Sequence, residues 1–476
     1  MVEIGPQAYL EKVSGMMRRR RLAAVLALAL CLGSLVPVTA GVGAASPAPT
    51  VRLSVLRGHG ELALVVAGRL YLAGGSASRV LAVAGPGAAS YPQWSHDGQW
   101  LAYTRTLSTG AGYTQLWVVR ANGTDNHRVP VGTSASLFVG ATAQGPVWSP
   151  TADLLATAAT TLQGRPAGLW VASPDAHPLT VRSAAGRRVT STAPVELAAN
   201  GTGPIWSPDG RTLAYTVTLP SANPVARSDA LYTRALLGAP ERHLVAKGDG
   251  LIVASWWPEG HGLLYWVDPQ HSASLAADGL DLDTIDLSSG RREPLAVTLV
   301  DRQLISWGSS DLVAIGAGAG REAWTGKVVM RCMARIPVQA TQACITITRP
   351  AGPISFAPAW SRAGLAFIEA KDLGSKGWGA STSAAQAWRA TNKLWFMPTG
   401  KAPRAVAGAG SGVMDPVWSA DAKYLMVVRS TTAYLVDPAR GTSVQVATGI
   451  RPYLYPLGYY GQLDEPEVLA WYSGQG

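Results

Sequence analysis

The stretch that decides the fold is GPIWSPDGRTLAYTVTL, residues 203–219, in which a tryptophan precedes a Ser-Pro-Asp-Gly turn and an alternating apolar run. In such a turn proline presets φ, aspartate accepts backbone N–H bonds, and glycine takes the positive φ that closes a hairpin. Similar stretches begin at Tyr91 (YPQWSHDGQWLAYTRTL) and at Asp415 (DPVWSADAKYLMVVRST). The block therefore predicts an antiparallel strand pair, and we expect Asp97 and Asp209 to serve the turn rather than catalysis.

Tryptophans in this context recur about every fifty residues, and five of the seven have proline two positions earlier. Each is followed by a turn and an apolar strand, and then by a second strand that is often aromatic. This second strand occurs in eight copies, from RLYLAGGSAS at Arg69 to TAYLVDPARGT at Thr432. Such a period suits a four-stranded unit and is too long for helical-hairpin solenoids. The repeat tryptophans are Trp94, Trp148, Trp206, Trp257, Trp307, Trp360 and Trp418.

One four-stranded sheet cannot bury both of its faces alone. In a radial arrangement each sheet packs on its neighbours, and the tryptophans fill the gaps between them. We therefore expect residues 50–472 to form a single all-β domain, a β-propeller of four-stranded antiparallel blades. Eight blades are favoured by the copies of the second strand, and seven are possible. The tail LGYYGQLDEPEVLAWY, residues 457–472, is expected to join the N-terminal blade and close the ring.

These residues resemble the TolB-like repeat family, which is related to the WD-repeat propellers. The signature of that family is close to tryptophan, Ser-Pro-Asp-Gly and then Leu-Ala-Tyr. The match is nearly full from Trp206 to Tyr215 and from Trp94 to Tyr103, and it is partial in stretches such as WSPTAD and WWPEGHG. The resemblance implies the propeller fold and, by analogy, an interaction with the cell envelope.

The N-terminus has the pattern of an export signal. Four arginines at 18–21 precede the apolar run LAAVLALALCLGSLVPVTAGVGAA, which ends in small residues suited to a signal peptidase. The alternative is an uncleaved anchor, since about 20 apolar residues can span a bilayer. Residues 1–45 are therefore expected to be a signal peptide or a membrane anchor. The chain would be secreted, periplasmic or anchored facing outside, with membrane contact only through this segment if it is uncleaved.

The cysteines and the charge fit an exported chain. Beyond the leader only Cys332 and Cys344 remain, and an even pair in an exported protein predicts a disulfide. The formal net charge of +10 falls to about +7 without the leader, and this remaining excess is dispersed along the chain, which argues against a nucleic-acid groove. At most it favours weak attraction to anionic envelope polymers.

The sequence contains few patterns that are typical of catalytic sites. The sequence has no Gly-x-Ser-x-Gly elbow and no His-Glu-x-x-His motif, and the repeats leave no room for an attached hydrolase domain. The acidic run around LDLDTID fits an alternating strand better than a calcium loop. We therefore predict a non-enzymatic protein without a metal or another cofactor. The isolated histidines are His59, His96, His127, His177, His243, His261 and His271, and the acidic run contains Asp278, Asp281, Asp283 and Asp286.

The turns between the second and third predicted strands vary in length, which marks the face that is free to specialise. The longest is KDLGSKGWGASTSAAQAWRATN, residues 371–392, where Trp378, Trp388 and Arg389 are candidate binding anchors. The alternative is that this insertion folds over the propeller and buries its tryptophans. The segments leading into Pro-x-Trp share the same face, where they would surround the central channel of the propeller. The candidates at the mouth of the channel, any of which could instead cap a strand, are Tyr91, Gln93, Gln144 and Asp415.

From these features we predict an exported, monomeric binding scaffold for a protein or a cell-envelope component, which it contacts through the variable-loop face. One alternative is a propeller enzyme that acts on glycans or peptides at the channel mouth, which would require acidic or histidine side chains converging from several blades. Another is a sensor module of a larger envelope assembly.

Overall fold

A computed structural model describes the chain from Ala48 to Gly474 with gaps, within one compact unit. The predicted leader, residues 1–45, lies outside the described residues. Across the described ranges no helix is long and apolar enough to cross a membrane. The described ranges are 48–74, 79–107, 114–131, 136–137, 145–160, 166–175, 177–185, 187–219, 228–237, 242–269, 279–309, 311–318, 324–335, 343–347, 352–377, 381–450 and 469–474.

Within the ranges just given the fold is all-β, with two short helices and three turns of 3-10 helix. In chain order the elements are β1 (Thr50–Val51), α1 (Leu53–Leu56), β2 (Glu61–Val66), β3 (Arg69–Gly74), β4 (Leu81–Val83), β5 (Ala88–Trp94), β6 (Trp100–Thr106), β7 (Thr114–Arg120), β8 (His127–Val129), β9 (Ser136–Leu137), β10 (Val147–Trp148), β11 (Leu155–Thr160), β12 (Pro166–Ala172), β13 (Leu179–Arg182), β14 (Arg188–Ser191), β15 (Val195–Ala198), β16 (Gly201–Trp206), β17 (Thr212–Leu219), β18 (Ser228–Ala235), β19 (His243–Gly248), β20 (Leu251–Trp256), β21 (Gly262–Val267), β22 (Gly279–Asp286), β23 (Arg292–Leu299), β24 (Ile305–Trp307), β25 (Leu312–Ala317), β26 (Val328–Met333), β27 (Cys344–Thr346), β28 (Ile354–Ser361), β29 (Gly364–Ala370), α2 (Thr382–Arg389), β30 (Lys393–Pro398), β31 (Arg404–Ala405), β32 (Val413–Trp418), β33 (Leu425–Arg429), β34 (Thr432–Asp437), β35 (Thr442–Thr448) and β36 (Leu469–Tyr472).

The strands form consecutive antiparallel sheets, which we number along the chain. Sheet 1 is β36-β2-β3-β4, sheet 2 is β5 to β8, and sheet 3 is β10-β11-β12-β15 with β9 beside β11. Sheet 4 is β16 to β19, sheet 5 is β20 to β23, and sheet 6 is β24 to β27, joined to sheet 5 by the single pair Thr298 and Ala317. Sheet 7 is β28 to β31, and sheet 8 is β32 to β35 with β1 added at its edge. The hairpin β13–β14 stands apart from these sheets.

The two ends of the domain interlock. β36 pairs with β2 from Leu64 opposite Leu469 to Glu61 opposite Tyr472, so sheet 1 contains strands from both termini, as predicted for the tail. At the same time β1 pairs with β35, which places the first strand of the domain in sheet 8. If β36 or β1 leaves its sheet, the strand beside it becomes an unpaired edge.

Tryptophans link neighbouring sheets through the first strand of each sheet, which we call its inner strand. Trp206 at the end of β16 donates its indole N–H to the carbonyl of Val147, the residue before the tryptophan of sheet 3, at 3.0 Å. Sheets 2, 3, 5 and 8 contain an equivalent hydrogen bond. In each, the indole N–H of the tryptophan donates to the carbonyl of the residue that precedes the tryptophan of the neighbouring sheet. Each indole therefore packs against the neighbouring sheet and also satisfies one of its backbone acceptors. The equivalent bonds are Trp94 to Ala470, Trp148 to Gln93, Trp256 to Ile205 and Trp418 to Ala359.

One predicted repeat position is wrong. Trp256, rather than Trp257, pairs with Leu263 as Trp206 pairs with Leu213, and Trp256 makes the bond to the preceding sheet. Successive side chains of a strand point to opposite faces, so the adjacent Trp257 faces the other way. It packs into the core shared by sheets 5 and 6 and donates to the hydroxyl of Thr284.

The Ser-Pro-Asp-Gly block is a hairpin turn, as predicted. Asp209 accepts hydrogen bonds from the Ser207 hydroxyl at 2.5 Å and from the Arg211 backbone N–H at 3.1 Å. The Ser207 hydroxyl accepts in turn from the Thr212 N–H at 2.9 Å. The bond from Ser207 is the main reason that the pKa of Asp209 lies below its usual value. This carboxylate is thus held in its charged form by the turn itself.

The predicted disulfide is present. Cys332 on β26 and Cys344 on β27 stand directly opposite each other in the register of sheet 6 and are bonded to each other. Both are buried, and they pack in the core between sheets 5 and 6. The bond therefore holds the outer edge strand of sheet 6 in place.

Replacing both cysteines with alanine is expected to lower the free energy of unfolding by about 3 kcal/mol, because a short closed loop no longer restricts the unfolded chain. Denaturant unfolding of the oxidised protein and of the Cys332→Ala, Cys344→Ala variant would measure the difference. Wild-type protein reduced before unfolding is the control and should approach the variant. Equal midpoints for the oxidised and reduced protein would contradict the prediction.

Candidate functional site

The insertion at 371–392 does not present Trp388 and Arg389 to solvent. Ser381 caps α2 by accepting from the Ala384 N–H, and the helix places Ala385 and Trp388 on one face. Trp388 stacks on Phe356 with ring centroids 6.2 Å apart and enters the core shared by sheets 7 and 8. Trp388 is 5% exposed and Arg389 is 6% exposed.

The expectation that these two residues are exposed anchors is therefore wrong, because the apolar face of a short amphipathic helix is buried against the sheets. The Trp388 indole also donates to the Lys371 carbonyl at 2.8 Å, which ties the end of the helix to the start of the insertion. The alternative, in which the insertion folds over the sheets, holds for Trp388. Trp378, together with the channel-mouth candidate Gln144, lies outside the described residues.

A recurring bulge positions the remaining channel-mouth candidates. The inner strands β5 and β32 shift register between Ser90 and Gln93 and between Met414 and Val417. At these bulges Tyr91 and Asp415 take φ values of 50°, in the left-handed region that non-glycine residues rarely adopt. The following proline has no N–H, so it fits where the ladder is interrupted. The Pro-x-Trp pattern therefore encodes a bend in the inner strand.

A cavity of about 490 Å³ lies along the inner strands of sheets 8, 1 and 2. It brings together two sequence-predicted residues, Gln93 and Asp415, whereas Tyr91 is not among its lining residues. The walls are mainly apolar, and the side chain of Val417 is 43% exposed. Other lining residues are Pro92, Trp94, His96, Met426, Leu469, Trp471 and Gly474.

The polar groups of this cavity are spread along its length. Asp415 lies in the first half of β32, whereas His96 lies in the turn that follows the end of β5, so the two groups occupy different positions along equivalent strands. The indole N–H groups of Trp94 and Trp471 are already bonded to Ala470 and His59. The lining thus combines apolar walls with the carboxylate of Asp415. The cavity can hold apolar side chains and orient them through a few polar contacts.

A second group of polar residues lies at the hairpin end of sheets 2 and 3. Ligand atoms of His96, Asp97 and Asp153 lie within 4.8 Å of one another, and His96 Nδ1 is 3.4 Å from Asp153 Oδ1. His96 and Asp97 belong to the β5–β6 turn, and Asp153 belongs to the β10–β11 turn of the next sheet. The sequence analysis considered His96 and Asp97 separately, did not consider Asp153, and missed the cluster, because its members meet only when two repeats pack side by side.

The two carboxylates of this cluster have opposite pKa shifts. Partial burial raises the pKa of Asp97, but the hydrogen bonds from Ser95 and the Gln99 N–H outweigh it and hold the pKa below its usual value. For Asp153, burial and then the nearby charge of Asp97 raise the pKa, and His96 only partly opposes them. Asp175 raises it further. Negative charge is therefore in excess around Asp153.

Next to the cluster a more polar cavity of about 620 Å³ lies between sheets 1 and 2. Asp97 contributes to both, and the cavity also contains Arg79, Arg120 and Glu61. Burial raises the pKa of Glu61. The hairpin end of sheets 1 to 3 is thus the second place where charged side chains gather around a concave surface.

The acidic run near residue 280 forms a strand, as predicted. Asp281, Asp283 and Asp286 lie on β22, and Asp278 is outside the described part of the chain. Asp286 closes the following turn by accepting from the Ser288 hydroxyl at 2.5 Å and from the Ser289 N–H at 3.1 Å. Its role is therefore that of Asp209 in sheet 4.

No protein-family model matches the chain, and no curated protein matches it in sequence. Similar solved structures include TolB from Acinetobacter baumannii, with 16% identity over 58% of this chain and 61% of that one and a TM-score of 0.35. A prolyl endopeptidase shares 13% identity over 75% of this chain and 48% of that one, with a TM-score of 0.44. A eukaryotic initiation factor shares 12% identity over 82% and 96% of the two chains, also with a TM-score of 0.44.

The resemblance to TolB that the repeat predicts is thus found among the structural neighbours. This chain spans less than two thirds of the TolB and prolyl endopeptidase chains that it matches. Identities and TM-scores this low identify no activity and no partner for it.

Proposed function

We propose that the eight sheets close into an eight-bladed β-propeller. Each neighbouring pair of sheets shares a hydrophobic core, from the core of sheets 2 and 3 to that of sheets 7 and 8. One further core contains residues of sheets 8, 1 and 2 together, such as Leu435, Leu64 and Leu101. The middle strands β6 and β17 are buried along most of their length, as expected for sheets covered on both faces. The pairing of β36 with β2 supports closure of the ring.

On this scaffold we propose a non-enzymatic, extracytoplasmic protein that binds a segment of another protein or an envelope polymer at the inner strands. The observation that carries the proposal is the 490 Å³ cavity, whose lining includes Gln93, Asp415 and the exposed side chain of Val417. Its carboxylate, Asp415, lies on β32, whereas its imidazole, His96, contacts Asp153 at the hairpin end of sheets 2 and 3. The disulfide supports an oxidising compartment.

An extended peptide is the occupant that this cavity fits best. Apolar side chains would contact Val417 and Trp471, while a backbone or side-chain donor would reach Asp415. The bulges also support a binding role, because residues held at positive φ cost of order 1–3 kcal/mol each and cluster at ligand-binding positions.

Site-directed crosslinking tests the proposal with a matched pair of positions. A photoreactive phenylalanine derivative replaces Val417, which lines the cavity, or Val444, a valine on β35 that is 39% exposed and outside the cavity. Crosslinking to envelope proteins in cells is expected to be at least ten times stronger from position 417. Asp415→Asn should weaken it, since the acceptor loses its charge. Equal yields from positions 417 and 444 would refute the cavity as the binding site.

A further inference from the structure

The cluster of His96, Asp97 and Asp153 departs from the repeat at two positions. The turn residue two places after the tryptophan is proline at Pro150 and Pro208, but it is His96 in sheet 2. The residue five places after the tryptophan is Gln99, Arg211 or Lys423 in sheets 2, 4 and 8, but it is Asp153 in sheet 3.

The hairpin turn forms without a histidine or an aspartate at these two positions. In sheet 4 the same turn is made with Pro208 and Arg211, and the Arg211 N–H donates to Asp209. In sheets 2 and 3 the two departures contact each other across the boundary between neighbouring sheets. The formation of the turn therefore does not explain why a histidine and an aspartate occupy these two positions.

The donor set and its spacing fit a small divalent ion. The ring nitrogen of His96 and the Asp153 oxygen are 3.4 Å apart, and two tetrahedral ligands at zinc distances would lie about 3.3 Å apart. Asp153 Oδ1 is inaccessible to solvent and accepts no hydrogen bond from the described residues. Asp97 uses Oδ1 for its own turn, which leaves Oδ2 as its ligand atom.

We propose that His96, Asp97 and Asp153 bind one divalent transition-metal ion of the zinc class. The mixed imidazole and carboxylate set favours Zn²⁺ over Mg²⁺ and Ca²⁺, which prefer oxygen ligands alone. The ion joins sheets 2 and 3 at their hairpin end, because His96 and Asp97 belong to sheet 2 and Asp153 belongs to sheet 3. Three protein ligands leave a coordination position for water or for a group of a bound partner. The proposal differs from the sequence-based prediction that the protein holds no metal.

The proposal is tested by titrating Zn²⁺ into the purified, metal-free full-length protein without a polyhistidine tag, followed by calorimetry. His96→Gln and Asp153→Asn are each expected to weaken the tight binding event at least tenfold. The control is Asp209→Asn, which alters the equivalent turn of sheet 4, where Pro208 and Arg211 flank the aspartate, and it should leave zinc binding unchanged. Mg²⁺ and Ca²⁺ should bind at least tenfold more weakly than Zn²⁺ to the unaltered protein.

A second measurement separates metal binding from a structural ion pair of His96 with Asp153. Zn²⁺ should raise the melting temperature of the unaltered protein and of Asp209→Asn, but not that of His96→Pro, which restores the residue found at Pro150 and Pro208. Co²⁺ should give the visible absorption bands of a tetrahedral site only when all three ligands are present. Zinc affinities that are the same in the unaltered protein, His96→Gln and Asp153→Asn would overturn the proposal. Equal losses in Asp209→Asn and Asp153→Asn would also overturn it.

Discussion

A chain that ends at Val468 is expected to lose at least about 5 kcal/mol of folding free energy, a large share of the 5–15 kcal/mol typical of a domain. It lacks β36, so the edge of β2 loses its partner from Glu61 to Leu64. Leu62 and Leu64, which are buried, become part of an exposed edge. The bond from Trp94 to the Ala470 carbonyl and the bond from Trp471 to the His59 carbonyl are lost as well.

The comparison for this truncation is a chain that ends at Ser473, which keeps β36 and should unfold like the intact protein. Chemical denaturation, with the soluble yield of each chain measured beside it, distinguishes the two. The shorter chain should be mostly insoluble, because an unpaired edge with apolar side chains promotes association between molecules. If both truncated chains unfold at the same denaturant concentration, the pairing of the termini contributes little, and the proposed closure of the ring loses its main support.

The repeat could be predicted because its information is local. Ser207, Asp209 and Gly210 specify a turn within a few residues, and Leu213 and Tyr215 begin the strand that follows. The eight copies of the second strand are local patterns as well, and they predict eight blades. The misassigned Trp257 shows the limit of this local reading, because a pair of adjacent tryptophans leaves the face of the strand undecided. Only the pairing of Trp256 with Leu263 decides it.

The candidate sites were harder to predict, because they depend on which repeats are neighbours. Gln93 and Asp415 could be proposed from their position in the Pro-x-Trp segments, and the structure places both on one cavity. The residues around Trp388 in the sequence do not show that its side chain packs on Phe356, because this contact joins residues that are far apart along the chain. His96 and Asp153 could have been found by aligning the turns and marking where consecutive copies depart from Pro208 and Arg211. Isolated motifs do not contain that signal.

Trp206→Ala is expected to lower the free energy of unfolding by about 3–5 kcal/mol, the range for removing a buried tryptophan. The ring is 8% exposed and packs in a core with Leu169 of sheet 3 and Leu213 of sheet 4, so its removal leaves a cavity between two sheets. The Val147 carbonyl also loses its donor. The loss should appear in the denaturant midpoint of the whole domain if the sheets unfold together.

Trp206→Phe separates the two contributions of this side chain. Phenylalanine keeps most of the apolar packing but has no N–H, so it is expected to cost about 1 kcal/mol, the lower end of the penalty for leaving an acceptor such as the partly buried Val147 carbonyl without a donor. Val444→Ala, at an exposed position on β35, should change stability by less than about 0.5 kcal/mol. A Trp206→Phe protein as stable as the unaltered one would show that the recurring indole bonds align the sheets without stabilising them. In that case the tryptophan at each repeat would be retained for its volume alone.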